Sequence, residues 1–369
     1  MTTSTNSMTP IRVKFAKGST DDFYNTLRRR VTAHFKDKNI SKHGDYRMYV
    51  KTAFMLMLYF VPFVISLTLV TSSWAYFGLW ILMGFGLSGV GLSVMHDAGH
   101  GAYSDNPTVN KFLAYSLNFT GGGCAGFWNI QHNMLHHTYT NIHGLDEDIS
   151  RTKVLRFSPH APKKAMHKYQ HFYAWFLYGL MTISWITAKE FRQLKEFNDR
   201  GLIRDKKAYN SLLAELLITK IGYYLVMLVI PLVFAPVSVG VVLISFFSMH
   251  FLAGLLLSLI FQPAHVIPSS EYPLPDDRGS VENNWAVHQI TTTANFAPKG
   301  ASFSWFVGGL NYQIEHHLFP RICHIHYKDI SKIVEQTAKE FGLPYHSQET
   351  WFQAIYNHGK LLRTFAKID

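Results

Sequence analysis

Apolar and polar positions divide this chain into long uncharged runs separated by basic, histidine-rich stretches. Positions 52–71 and 74–95 hold no charged residue, and each run of about 20 residues is long enough to cross a hydrocarbon core of roughly 30 Å. Positions 211–235 form a third run, with Glu215 and Lys220 confined to its first half, and positions 237–262 a fourth with no charge at all. Only short turns near Ser72 and Pro236 separate the members of each pair. The pattern therefore predicts two helical hairpins.

Other stretches are apolar on one side only, or too short to place by length. Positions 172–188 are uncharged for 17 residues. A crossing there would put the last histidine cluster on the opposite side from the first two, so this stretch is expected to lie in the interface or against the bundle. Over 20–39, Phe23, Leu27, Val31 and Phe35 recur every fourth residue beside Arg28, Arg29 and Arg30, the mark of an amphipathic helix. Beyond Gln262 the chain reads as soluble, with a turn-rich stretch at 268–279 and amphipathic helices over about 327–341 and beyond 348. There is no internal repeat and no low-complexity tract.

Composition and charge set the frame for these elements. At 48% hydrophobic and 16% charged, the chain is far too apolar for a disordered one. Cys124 and Cys323 lack any CxxC or other ligand spacing, which argues against a disulfide framework or a thiolate metal site. Lys and Arg are retained on the cytoplasmic side of membranes. All 35 except Lys220 lie at or before Lys51, between Lys111 and Lys207, or from Arg278 onward, so both termini and the central loop are expected in the cytosol. Five regions follow: a cytosolic segment over 1–51, a transmembrane hairpin over 52–95, a cytosolic or interfacial region over 96–210, a second hairpin over 211–262 and a cytosolic region over 263–369. The polar opening over 1–10 has no apolar core of a cleavable secretory signal. The net charge of +11 reads as retention of the inner face and is compatible with docking of an acidic electron carrier. No nucleic-acid partner is expected.

Histidine is the outlier, at 20 residues against 24 for all carboxylates together. His96-Asp97-Ala98-Gly99-His100 follows the second run at once, and residues four apart on a helix share a face. His132-Asn133-Met134-Leu135-His136-His137 repeats the spacing with one more imidazole, and Gln313-Ile314-Glu315-His316-His317 brings another pair. His265, just past the fourth run, is placed to join them. Eight imidazoles are too many for one zinc, which takes four ligands at most in a structural site, so two metals are implied. Imidazole alone does not choose among iron, copper, nickel and zinc.

These residues resemble the membrane fatty-acid desaturase family, whose mark is three histidine boxes of the form HxxxH, HxxHH and H/QxxHH. Trp285, Gln289 and Asn295, followed by Gly309-Leu310-Asn311-Tyr312-Gln313-Ile314-Glu315-His316-His317-Leu318-Phe319-Pro320, are similar to its front-end branch, in which glutamine opens the third box. The likeness spans 21–344 and is greatest to stand-alone bacterial acyl desaturases of the linoleoyl-type, Δ6-like group. It implies an all-α integral membrane protein of about four transmembrane helices in two hairpins, with a cytosolic helical cap holding a di-metal site. It further implies two iron ions held by His96, His100, His132, His136, His137, His265, His316 and His317, and O2 as co-substrate. The substrate would be a fatty-acyl chain, on CoA or a phospholipid, into which a cis double bond is placed. Gln313 stands where other branches have histidine, and either binds metal, holds a water or only hydrogen-bonds. Trp285, Gln289 and Asn295 are expected to position substrate. The sequence contains no HPGG haem motif, so electrons are expected from a separate ferredoxin or cytochrome b5. The membrane implied is the bacterial cytoplasmic one rather than endoplasmic reticulum.

The chemistry of the residues agrees with that resemblance. Hydrogen abstraction from an unactivated methylene needs a strong oxidant, which iron with O2 supplies and redox-inert zinc does not. Asp97, Asp146, Asp148 and Glu315 stand near the boxes and are candidates to accept the second N–H of a ligating imidazole. His143, His288, His324 and His326 are further candidates for that outer role, whereas His250, mid-run, is expected to be structural. A fatty-acyl hydroxylase on the same scaffold stays open. A membrane zinc hydrolase would leave half the histidines unemployed, and a b-type cytochrome would carry its axial histidines inside the spans.

Overall fold

The computed structural model describes residues 13–16, 21–150 and 153–368; Thr20 and the opening run examined for a signal lie outside them. Among the described residues four helices are long and apolar enough to cross a membrane: Tyr46–Thr68, Ser73–Gly99, Lys206–Phe234 and Val239–His265. Each covers most of one apolar run and overruns it at the histidine-bearing end. The extra turns follow from capping and continuity. Asp45 caps the first helix by accepting from Arg47 N, and Asp205 caps the third by accepting from Ala208 N at 2.8 Å. The second and fourth run on past their apolar stretches, so that His96 and His265 ride on helical turns at the same end of the bundle. Within its most apolar window the second helix is 61% buried, against 28–33% for the other three, which makes it the inner member. Val64, Ile218, Val233 and Ile244 face outward, as residues against lipid do.

The stretch over 172–188 is not a fifth long helix. It forms Gln170–Gly179 and Met181–Ser184, then a π-helical turn over Trp185–Lys189, and it packs on the fourth span. Contact is close because Gly254 has no side chain; a Cβ there would stand 2.7 Å from the Gly179 carbonyl oxygen. His250 supports the same junction, with Nε2 2.7 Å from the Tyr223 hydroxyl and Nδ1 3.2 Å from Thr182 Oγ1. It is structural, as expected.

The remaining helices build a cap over the histidine-bearing end. Asp21–Asp37 buries Phe23, Leu27 and Val31 against Ile314, Leu318, Ile330 and Val334, so its apolar face meets protein of the cap. Tyr327–Glu340 and Trp351–Phe365 fall where periodicity placed helices. Two parallel pairs of two-residue strands, Lys14–Phe15 with Ser280–Val281 and Asn295–Phe296 with Ser347–Gln348, are the only departure from helix among the described residues that periodicity missed; strands so short leave no period to read.

Candidate metal centre

Local backbone geometry aims the boxes. A π-helical segment, Val90–Met95, precedes His96, and another, Asn129–His136, carries the second box. A π-turn closes i→i+5 hydrogen bonds, which shifts the shared face from residues four apart to residues five apart. Accordingly His132 and His137 converge, Nε2 to Nε2 at 3.2 Å, while His136 turns toward His265 and His317, with ring centroids 4.8 and 5.0 Å away. His136 also stays beside His132, with ring centroids 5.4 Å apart, so the π-turn adds His137 to the four-residue spacing read from the sequence. Box three reaches box one through Gly308, whose φ of 63° and missing side chain allow the chain past the Leu92 carbonyl that a Cβ would overlap.

All eight histidines meet. The ligand atoms of His96, His100, His132 and His316 lie within 4.8 Å of one another, as do those of His136, His265 and His317, and those of His137, His316 and His317. His96 Nε2 stands 3.1 Å from His132 Nε2. Two nitrogens bound to one ion at about 2.0–2.1 Å each are themselves separated by roughly 3 Å, so this spacing fits a shared metal. The donor chemistry fits as well. His100, His265, His316 and His317 each have a buried Nε2 with no hydrogen-bond partner among the described residues. Burial first, and then the repulsion of neighbouring imidazoles, holds the pKa of His100, His132, His137, His316 and His317 well below the ordinary histidine value. Neutral imidazoles with inward lone pairs are what a cation requires.

Three of the opposite ring nitrogens, on His136, His316 and His317, are tethered outward. His136 Nδ1 stands 3.2 Å from both oxygens of Asp146, which also accepts from Asn141 N and Asp148 N. Burial opposes charge on His136, but Asp146 and Asp148 win and raise its pKa to about 9. His317 Nδ1 donates to Gln289 Oε1 at 2.8 Å, and His316 Nδ1 stands 3.2 Å from the Tyr327 hydroxyl. Such partners orient a ligating ring and fix its tautomer.

Several expectations resolve differently. Asp97 is bound to His324 Nδ1 at 2.8 Å, and Glu315 accepts from Asn295 and Tyr345, so neither carboxylate serves a box imidazole as Asp146 does. Of the outer histidines, His324 pairs with Asp97 and Lys51, His326 lies 3.3 Å from the His43 carbonyl, and His288 packs on Phe15, while His143 leaves a buried Nδ1 without a partner among the described residues. Trp285 donates to the His137 carbonyl, Gln289 holds His317, and Asn295 holds Glu315; these three side chains are engaged with the boxes. Gln313 is buried and faces His265. Tyr327 and Asn141 were missed. Tyr327 carried no local signal, and Asn141, at φ 59°, reads only as a turn residue although its amide donates to the His265 carbonyl at 2.9 Å.

Two adjacent cavities lie beside His96 and His132. An open one of about 350 Å³ has His132, Gln131, Asp148 and Lys189 around it; a narrow one of about 30 Å³ is lined by Leu87, Gly91, Leu117 and Leu257. Both are walled by Trp128, Trp185 and Phe261. A separate cleft of about 810 Å³ opens onto His100 and His137 and is edged by Lys42, Lys111 and Arg321.

A protein with four helices fit to span a membrane and a buried cluster of eight histidines compatible with a metal site, beside cavities walled by aromatic rings, has the construction of a membrane metalloenzyme. The chain belongs to the fatty acid desaturase family, whose model matches residues 72–349. It is 35% identical over 363 residues to the sn-1 linoleoyl-lipid 6-desaturase of Arthrospira platensis, covering 94% of each chain. To the enzyme of the same name from Synechocystis sp. it is 34% identical over 98% of this chain and 99% of that one. It is also 34% identical to the acyl-lipid (8-3)-desaturase of Physcomitrium patens, over 94% of this chain and 72% of that one.

Proposed function

We propose that this desaturase is of the front-end type and places a cis double bond at the Δ6 position of an acyl chain carried on a membrane lipid, with O2 as co-substrate. The relatives named for 6-desaturation of linoleoyl lipid favour this position and carrier, and they do not favour a hydroxylase or a zinc hydrolase. The observation that carries the reading is the pair of adjacent cavities, walled by Trp128, Trp185 and Phe261, lying against His96 and His132. Two irons would be held by His96, His100, His132, His136, His137, His265, His316 and His317, with Gln313 orienting His265. When bound, the metal pair supplies the O2-derived oxidant that removes hydrogen from an unactivated methylene. Trp128 and Phe261 wall the cavities beside the ligands and exclude water there, while Asp146, Gln289 and Tyr327 keep the imidazoles from turning. The narrow apolar cavity would take the methyl end of the chain, and the more polar one would keep the headgroup. A separate ferredoxin or cytochrome b5 would deliver electrons across the cleft at His100, attracted by Lys42, Lys111 and Arg321. That cleft, like the cap, would face the cytosol.

Expression in a host lacking polyunsaturated lipids, supplied with linoleate, should yield an acyl chain with one added Δ6 double bond by gas chromatography. A hydroxylated product, or none from iron-loaded protein, overturns the reading. Chain length gives a second check. A Cβ on Gly91 would meet only Leu257 Cδ2, at 3.7 Å, so the side chain of Gly91→Leu extends into the narrow cavity without crowding its helix. The ratio of 16-carbon to 18-carbon product should rise about tenfold, the scale on which a hydrophobic pocket discriminates methylenes. An unchanged ratio removes this slot from the acyl path.

A further inference from the structure

A cavity of about 200 Å³ opens at the cap end of the first span, lined by Arg47, Lys51, Ser304, Trp305, His324 and Lys328 among others. It shares no lining residue with the acyl passage or with the cleft at His100. Lys51 is only 2% exposed. Its ammonium has three N–H donors but makes one hydrogen bond among the described residues, to His324 Nε2 at 2.7 Å. His324 accepts it because its Nδ1–H is committed to Asp97. Among the described residues the other two donors have no protein acceptor, and the buried hydroxyl of Ser304 likewise has no partner. A buried ammonium left short of acceptors is costly, and an anionic oxygen ligand would satisfy it.

The surroundings select the kind of anion. Asp45 holds Arg47 from outside at 2.9 Å, and Asp97 lies behind His324, but Lys328 makes no ion pair among the described residues and adds its charge to that of Lys51. Lys51 lies 5.1 Å from the Trp305 ring centroid. Trp305 in turn stacks edge-on with Phe54, one turn deeper on the first span, at 5.4 Å, and both rings are exposed. Cations at a helix end with aromatic rings one turn deeper match the order of phosphate and acyl chain in a bilayer leaflet. We infer that this cavity binds the phosphate of an anionic phospholipid, at a site apart from the acyl passage.

The test uses the purified full-length chain in nanodiscs of phosphatidylcholine, with or without phosphatidylglycerol, followed by native mass spectrometry and thermal unfolding. Phosphatidylglycerol should raise the unfolding midpoint and stay bound after delipidation. Lys328→Gln should weaken its retention about fivefold, the worth of one surface cation toward anionic lipid, and Lys51→Met should abolish it. Because Lys51→Met also strands His324 and can impair folding, Lys328→Gln and Ser304→Ala carry the test by themselves. Equal midpoints in the two lipids, or wild-type retention in Lys328→Gln and Ser304→Ala, overturn the site. Equal protection by inorganic phosphate in phosphatidylcholine discs would make it a site for free phosphate and overturn the lipid assignment.

Discussion

His316→Ala is expected to abolish desaturation and to leave fewer than two metals per chain. His316 occupies the crossing point of the cluster. Its ring lies 4.6 Å from those of both His96 and His137 and 4.9 Å from that of His100, and its ligand atom belongs with His96, His100 and His132 on one side and with His137 and His317 on the other. Removing an outer partner of a metal ligand costs about 10–100-fold in affinity or activity, so removal of a ligand common to both groups should exceed that range. Tyr327→Phe, which takes away only the hydroxyl beside His316 Nδ1, should stay within it. Metal analysis of both proteins, with product assayed by gas chromatography, reads the difference. A His316→Ala enzyme that keeps two metals and its activity would remove His316 from the ligand set.

Lys220→Met is expected to destabilise the folded chain by about 3–5 kcal/mol, the cost of breaking a buried ion pair from one side. Lys220 is the one basic residue that the charge asymmetry left unplaced, and the structure explains why a span tolerates it. Its ammonium donates to Glu190 Oε2 at 2.6 Å, to the Gly122 carbonyl at 2.5 Å and to the Trp185 carbonyl at 2.9 Å, so all three donors are used. Glu190 in turn accepts from Cys124 N at 2.7 Å, which pins the loop leading into the second histidine box. Glu215, one turn before Lys220 in the same helix, accepts from Gly126 N at 3.0 Å. Methionine at 220 would strand the Glu190 carboxylate in a site that is 5% exposed. Adding Glu190→Gln removes the stranded charge and should recover most of the loss. Thermal unfolding in detergent measures both proteins, and a Lys220→Met protein as stable as wild type would show that the pair contributes no net stability.

Much of the architecture was legible because its causes are local. Whether a run such as 237–262 can cross a bilayer depends on its own length and lack of charge, and amphipathic helices such as Tyr327–Glu340 declare themselves by periodicity. The same holds for the supply of ligands, since an excess of imidazoles near helix ends is visible before any packing is known. Helix ends were less legible. The uncharged runs stop short of His96 and His265, whereas backbone hydrogen bonding carries the second and fourth helices through both residues.

The sequence by itself determined the four apolar helices, the eight imidazoles and the chemical class they permit. Tertiary structure decided which imidazoles meet. Spacing of four placed His132 beside His136, where the structure keeps it, but only the π-helical backbone of that box brings His137 onto His132 and lets His136 also reach the fourth span and box three. It also decided which carboxylate serves a ring: Asp146 and Asp97 look alike in sequence, yet one turns to His136 and the other to His324. The break in the helix over 172–188 and its packing against Gly254 and His250 came from tertiary structure, which its hydropathy does not report. Periodicity reports the environment of a residue along its own helix, whereas convergence depends on where separate helices cross and which hydrogen bonds close between them, and those contacts join residues as far apart as Asp97 and His324.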